Sequence, residues 1–427
     1  MKLAVTILVA ACAAAHADLH EDIDKGAAAV EANVIAWHRD IHQNPELSNR
    51  EVRTAALVAA YLKTLGIEVT TGVAHTGVVG VLRGGAPGKV VALRADMDAL
   101  PVVEETGLPY ASTVTSQYLG QDVGVMHACG HDNHVAILMG VARVLADVRE
   151  QLPGTVKFIF QPAEEGAPPG ERGGAGMMVE EGVLKNPDVD AIFGLHVMQI
   201  AETGQVAMRP LGAMASSQRF EIAIKGRQTH GAMPWAGIDP IVVGSQIVGA
   251  LQTIVSRRVD ITTSPAVVTV GTFHSGVRNN IVPGDATLTG TIRTFDPSVT
   301  KAVQDEMRDI VTGIATANGA EATLSLSEGT PATINDPKLL EQMRPSLVRV
   351  YGDANVLVSS PVMAAEDFAF YQQQVPGLFF FVGVRPPEVP ADQAIPNHSP
   401  KFYADEAALK NAVRAMASLA ADYLSGQ

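Results

Sequence analysis

Two periodicities divide the first half of the chain. From Asp18 to about Leu65 apolar residues recur at helical spacing, over 27–41 and 49–65, with a break at Asn44-Pro45. Short apolar runs then take over: 78–82, 90–94, 156–160 and 191–195 read as strands, while 135–146 and 175–181 read as helices. Strands alternating with helices predict an α/β sheet with helices on its faces. Ligands in such a sheet collect at strand ends.

Near Gly212 the pattern changes. It becomes strand 219–225, helix 239–257, strand 266–273, strand 285–295, helix 297–318 and strand 321–327, the β-α-β-β-α-β order of a ferredoxin-like unit. Helices and a strand return from about Pro337. The expected organisation is therefore a larger α/β domain over 18–212 and 330–427, with a smaller α+β domain, 213–329, inserted into it.

The N-terminus fits neither part. After Met1-Lys2 an apolar run covers 3–15 and ends in Ala15-His16-Ala17, the small-x-small form of a signal-peptidase site. The run is too short to anchor the chain across a bilayer. It predicts an export signal over 1–17, a mature chain starting near Asp18 and a periplasmic or secreted location. The rival reading is a lipoprotein signal, with Val9-Ala10-Ala11 ahead of a lipidated Cys12.

Composition narrows the picture. The rest of the chain exceeds what one hydrophobic core organises, in keeping with two domains. The hydrophobic fraction is 47% and no second stretch is long and apolar enough to span a membrane. A formal net charge of −14 argues against nucleic acid or an anionic membrane as partner. The only cysteines are Cys12 and Cys129. With Cys12 removed or lipidated, Cys129 cannot close an internal disulfide, and a metal gives the thiol a purpose.

Candidate chemistry is densest at His127-Ala128-Cys129-Gly130-His131-Asp132-Asn133-His134. If the approach is extended, His127, Cys129 and His131 project to one side and converge, and Asp132 or Asn133 caps the helix that follows. Cysteine beside histidine is a donor set for zinc-like divalent ions. A structural cysteine near surface histidines explains any one of these residues, but not four together. The second half of a zinc finger is missing.

Each remaining polar cluster follows an apolar strand. Glu164 and Glu165 adjoin in Gln161-Pro162-Ala163-Glu164-Glu165-Gly166, where neighbouring like charges need cations or strong donors unless the loop is simply solvated. His196 follows 191–195, and His398 lies between Pro396 and Pro400. The glycine-rich 170–176 lacks the lysine and hydroxyl residue of a phosphate loop and reads as a turn opening a helix.

Taken in order, Arg94-Ala95-Asp96-Met97-Asp98-Ala99-Leu100-Pro101, the 127–134 stretch, 161–166, Gly194-Leu195-His196, the His230 loop, Asn280-Ile281-Val282-Pro283 and Asn397-His398-Ser399 resemble the aminoacylase and carboxypeptidase family of binuclear metallopeptidases. The resemblance is to the amidohydrolase branch, which includes hippurate hydrolases, auxin-conjugate hydrolases and N-acyl-amino-acid deacetylases. It implies a mixed-sheet catalytic domain with the inserted domain as lid and homodimerisation surface. It further implies that Cys129, His131, Glu165, His196 and His398 hold two divalent ions, zinc or manganese, with Cys129 bridging. Glu164 is then the general base and Asp98 a supporting group that fixes a ligand. One position departs from other branches of the family, which carry a metal-binding histidine where this chain has Asp96.

The implied substrate is an N-acyl or N-aroyl amino acid, or a short peptide. His230 and Asn280 would reach a catalytic centre, either their own or a partner subunit's. Arg293 joins them as a possible carboxylate grip, because a guanidinium can hold a carboxylate with two parallel hydrogen bonds; an exposed strand residue is the alternative. The residues themselves do not tell Glu164 from Glu165. Three other readings remain open at this stage: a thiol hydrolase using Cys129, a non-catalytic metal- or solute-binding protein, and a dipeptidase or aminopeptidase that needs a free substrate amine.

Overall fold

In the computed structural model the backbone is described for residues 2–426 and side chains for residues 19–426. The expected export signal 1–17, with Cys12, lies outside the described side chains. The chain forms two compact units: Met1–Leu211 with Asn335–Ser359 and Phe370–Gln427, and Gly212–Ile334 with Ser360–Ala369.

The first unit is built on an eight-stranded mixed sheet. Its order is Glu68–Val73, Gly77–Arg83, Pro153–Gln161, Ala86–Asp96, Ala191–Glu202, Gly377–Arg385, Val206–Met208, Val356–Val358. The four strands from Pro153–Gln161 to Gly377–Arg385 are mutually parallel, so their C-terminal ends share one edge. Asp96 lies opposite Gln161 there. Pairing between the Ala86 and Ala191 strands ends at Arg94 and Gly194, two residues before His196.

These strands are buried on both faces, with Phe158, Phe160, Phe193 and Phe379 to Phe381 fully enclosed, as a parallel sheet covered by helices requires. The helix Lys2–Gln43 buries Leu19, Ile23, Ala27, Val30, Val34 and Ile41, one stripe at helical spacing. Each large side chain there contributes about 1.5–3 kcal/mol. Gly140 is the contact point of the helix His131–Asp147, where an added Cβ would lie 2.7 Å from Val34 Cγ2 and 3.0 Å from Val413 Cγ2.

The second unit is an antiparallel four-stranded sheet in the order Ala266–Ser275, Asp285–Thr294, Gln218–Lys225, Glu321–Leu326, with helices Pro240–Thr253 and Pro297–Ala317. That is a split β-α-β arrangement. Phe220, Ile222 and Ile224 alternate inward along the first strand. Asp239 and Asp296 cap the two helices, each accepting from two backbone N–H groups ahead of a proline at the helix start.

The boundary expected at residue 330 needs correction, because 330–334 and 360–369 belong to the second unit. Ala215 N–H donates to the carbonyls of Val362 and Ala364, and Thr333 Oγ1 donates to the Glu366 carbonyl. These bonds tie a segment remote in sequence to the inserted part. Among the described residues, no helix is long and apolar enough to cross a membrane.

Candidate metal centre

The 127–134 stretch is not extended. The chain turns at Ala128-Cys129, Gly130 takes a left-handed conformation (φ 92°) and His131 opens the helix His131–Asp147. Asp132 and Asn133, expected as caps, instead lie in the first helical turn. The turn also diverts His127: Cys129, His131 and His196 gather without it, and neither of its buried ring nitrogens has a hydrogen-bond partner. Two-residue spacing gives one-sided projection only in a strand, so a turn cancels the expected convergence.

The five residues implied as ligands do come together. Donor atoms group as Cys129–His131–His196 and as Cys129–Glu165–His398, while Glu164 and Glu165 form a third group with His131. Cys129 is common to the first two groups, the position a bridging ligand needs. His131 Nδ1 donates to the Asp98 carbonyl at 2.8 Å, and His196 Nδ1 donates to the Val197 carbonyl at 2.9 Å. Both rings therefore present Nε2 as a lone pair. The His196 Nε2 stands 3.4 Å from Cys129 Sγ.

Buried polar atoms here lack partners in a way that suits cations. His131 Nε2 makes no hydrogen bond, and Glu165 Oε1 lies 2.9 Å from His398 Nε2 without hydrogen-bond geometry. Burial first, then Glu165, Glu164 and Asp96, pushes the Cys129 thiol well above its ordinary pKa. A free thiolate nucleophile is thus disfavoured, contrary to the thiol-hydrolase reading. Burial next to His134 holds His196 well below its usual value, so it is neutral and able to ligate. The donor set fits divalent metal ions.

Glu164 and Glu165 sit on a turn held by two buried carboxylates. Asp98 Oδ1 accepts from Glu164 N–H and Oδ2 from Glu165 N–H, both at 3.0 Å, while Ser48 Oγ donates to Oδ2 at 2.7 Å. Glu51 Oε1 accepts from Ala163 N–H at 2.9 Å, and Ala163 is left-handed (φ 52°). Three consecutive amides are thereby fixed. Asp98 fixes His131 through its carbonyl and through Oδ1, 3.3 Å from His131 Nδ1, and holds the carboxylate turn through its side chain. Glu164 Oε2 lies 3.9 Å from His131 Nε2.

Asp96 is occupied elsewhere. It accepts from Arg94 and from His134 Nδ1, both at 2.5 Å, and His134 Nε2 accepts from Val197 N–H at 2.9 Å. Both His134 nitrogens are therefore committed to protein contacts. Asn397 Nδ2 donates to the Cys129 and Val197 carbonyls at 2.8 and 3.1 Å, steadying the loop that carries His398. Ser48, Glu51 and the anchoring role of Asn397 went unread in the sequence. The only signal for the first two was the break at Asn44-Pro45.

In the second unit His230 pairs with Ile281, and Gly231 N–H donates to the Asn280 carbonyl at 2.8 Å, so His230 and Asn280 share one hairpin. Arg293 lies opposite Val267 on the strand Asp285–Thr294. The hairpin joins that strand at its Asp285 end, about 27 Å along the strand from Arg293. Arg293 is therefore not brought to His230 and Asn280 within one chain.

Comparison with known proteins identifies the family. The profile described as "Peptidase family M20/M25/M40" matches residues 92–422. Thermostable carboxypeptidase 2 of Saccharolobus solfataricus is 41% identical over 94% of this chain and 98% of its own length. N-acetylcysteine deacetylase of Bacillus subtilis is 38% identical over 92% of this chain and 97% of its own. Among solved structures, the Bacillus subtilis YXEP protein, described as a dinuclear metal binding peptidase from the M20 family, is 36% identical with a TM-score of 0.79, covering 93% of this chain and 99% of its own.

Proposed function

Because the chain belongs to peptidase family M20/M25/M40 and is a hydrolase of amide bonds, we propose that it releases an amino acid with a free α-carboxylate from an N-acyl or N-aroyl amino acid or a short peptide. Similarity to both a deacetylase and a carboxypeptidase supports this class, since both kinds of cleavage leave that product. The observation that carries the reading is the Asp98-held turn, which sets Glu165 beside His398 and Glu164 beside His131.

Cys129, His131, Glu165, His196 and His398 hold two divalent ions, zinc or manganese. When bound, such ions polarise the scissile carbonyl and acidify an attacking water. Glu164 takes the water proton and passes it to the leaving amine, a role worth about 10² to 10⁴ in rate. Asp98 keeps the two glutamates from exchanging places. The smaller unit acts as lid and as the surface of a homodimer. His230, Asn280 and Arg293 read the substrate carboxylate, and their separation along one unit supports a grip shared between two subunits. Residues 1–17 direct export.

Hydrolysis of a panel of acyl-amino acids, their α-amides and dipeptides, with metal content measured on the same samples, tests this. Acyl-amino acids and peptides with a free carboxylate should react, and their amides should lose much of kcat/KM. Equal rates on acid and amide, or full activity in metal-free protein, would refute it.

A further inference from the structure

A second histidine cluster lies on the opposite side of the helix His131–Asp147 from the catalytic centre. The first turn of that helix sends His131 and His134 one way and Asp132 and Asn133 the other. His38 and His42 stand one turn apart on the helix Lys2–Gln43, the His-x-x-x-His spacing that puts two imidazoles on one face. Each spends one nitrogen on an outer carboxylate, His38 Nδ1 on Glu406 Oε1 and His42 Nε2 on Glu104 Oε1, both at 3.1 Å. Their other nitrogens converge on one oxygen: His38 Nε2 is 3.2 Å and His42 Nδ1 2.7 Å from Asp132 Oδ2. Metal-ligating histidines are oriented by outer carboxylates in this way.

A small cavity opens against these atoms, and His127 and Asn133 line it too. Both His127 ring nitrogens and Asn133 Oδ1 are buried without a hydrogen-bond partner. Charge is compatible with a cation there. Asp132, Glu104 and Glu406 bring three negative charges and Arg39, paired with Glu406, brings one positive charge. The deficit of two is met by two imidazolium protons or by one divalent cation.

We propose that this cavity is a structural divalent-cation site, separate from the catalytic pair, with His38 Nε2, His42 Nδ1 and Asp132 Oδ2, which lie within 4.8 Å of one another, as ligands to a zinc-like ion. Ligands about 2.1 Å from a tetrahedral ion lie about 3.4 Å from one another. His38 is close to that spacing, and His42 needs to withdraw by roughly 0.7 Å. The ion would join the first helix to the start of the helix that carries His131.

The test is zinc content of the full chain after saturation and gel filtration, together with anomalous scattering from zinc-loaded crystals. His38→Arg supplies a fixed positive charge between Asp132 and Glu406 but no ligand, and should bind one ion fewer than wild type. The double variant Cys129→Ala/His398→Ala, with its catalytic centre disrupted, should still show an anomalous peak among His38, His42 and Asp132. Equal zinc counts in wild type and His38→Arg, or no peak at that position in wild-type crystals, would overturn the proposal. If His38→Arg does not fold, the wild-type anomalous map decides alone.

Discussion

Asp98→Asn is the most informative single change, because one side chain holds both catalytic glutamates. The carboxylate accepts from Glu164 N–H, Glu165 N–H and Ser48 Oγ–H. An asparagine keeps the shape but exchanges one oxygen for an NH₂ group. Its oxygen can serve one amide, and the Ser48 hydroxyl can turn to accept from the new NH₂. The other amide then faces a donor. One buried unsatisfied N–H costs about 1–3 kcal/mol, and the surviving bond loses the charge assistance that makes carboxylate bonds roughly twice as strong. The His131 bond to the main-chain carbonyl of residue 98 should survive, while its 3.3 Å contact with Oδ1 loses the charge of the carboxylate. The expected result is a loss of about 1–3 kcal/mol in urea unfolding with bound metal largely retained. A turn displaced by about 1 Å would also lower kcat on the order of 100-fold. Stability within about 0.5 kcal/mol of wild type, with unchanged kcat, would show that the Asp98 side chain does not hold the turn.

The two glutamates should separate by assay: Glu164→Gln keeps the ions and loses about two to four orders of magnitude in kcat, while Glu165→Gln loses metal. The reverse pattern would exchange their roles. Glu51 predicts a pH effect, because burial first and nearby Asp98 second raise its pKa from 4.5 to about 7. The folded state then binds the extra proton, so this contribution is complete below pH 4.5 and is lost as pH rises to about 7, up to roughly 3 kcal/mol. Glu51→Gln, which imitates the protonated form, should flatten the stability profile over that window; denaturant midpoints measured from pH 4.5 to 8 check it, and an unchanged slope would argue against it. N-terminal sequencing of exported protein should begin at Asp18 without a lipid, whereas an acylated Cys12 would favour the lipoprotein alternative.

Much of the architecture was written locally. Short apolar runs and helical spacing marked the strands 78–82, 90–94, 156–160 and 191–195 and the β-α-β-β-α-β order after Gly212, because such patterns depend on neighbours a few residues away. Residue chemistry and the strand-end rule pointed to Cys129, His131, Glu164, Glu165 and His196, along with His127, and the family resemblance chose the ligand set and added His398. Which atoms meet was decided only by packing. The backbone turn at Gly130 moved His127 away from Cys129 and made Asp132 and Asn133 part of a helix, and no side-chain pattern announced a left-handed residue there. Parallel pairing of Ala86–Asp96 with Pro153–Gln161 brought Asp98 under a turn 66 residues later, and Asp132 meets His42 across 90 residues. His134 lies in the same dense stretch as His131 but is not a free donor. The deciding facts were a hydrogen bond from Val197 and another to Asp96, each made across the sheet edge. Local periodicity carries the information for elements, but partners are chosen by strand register and helix contact, which depend on residues tens or hundreds of positions apart.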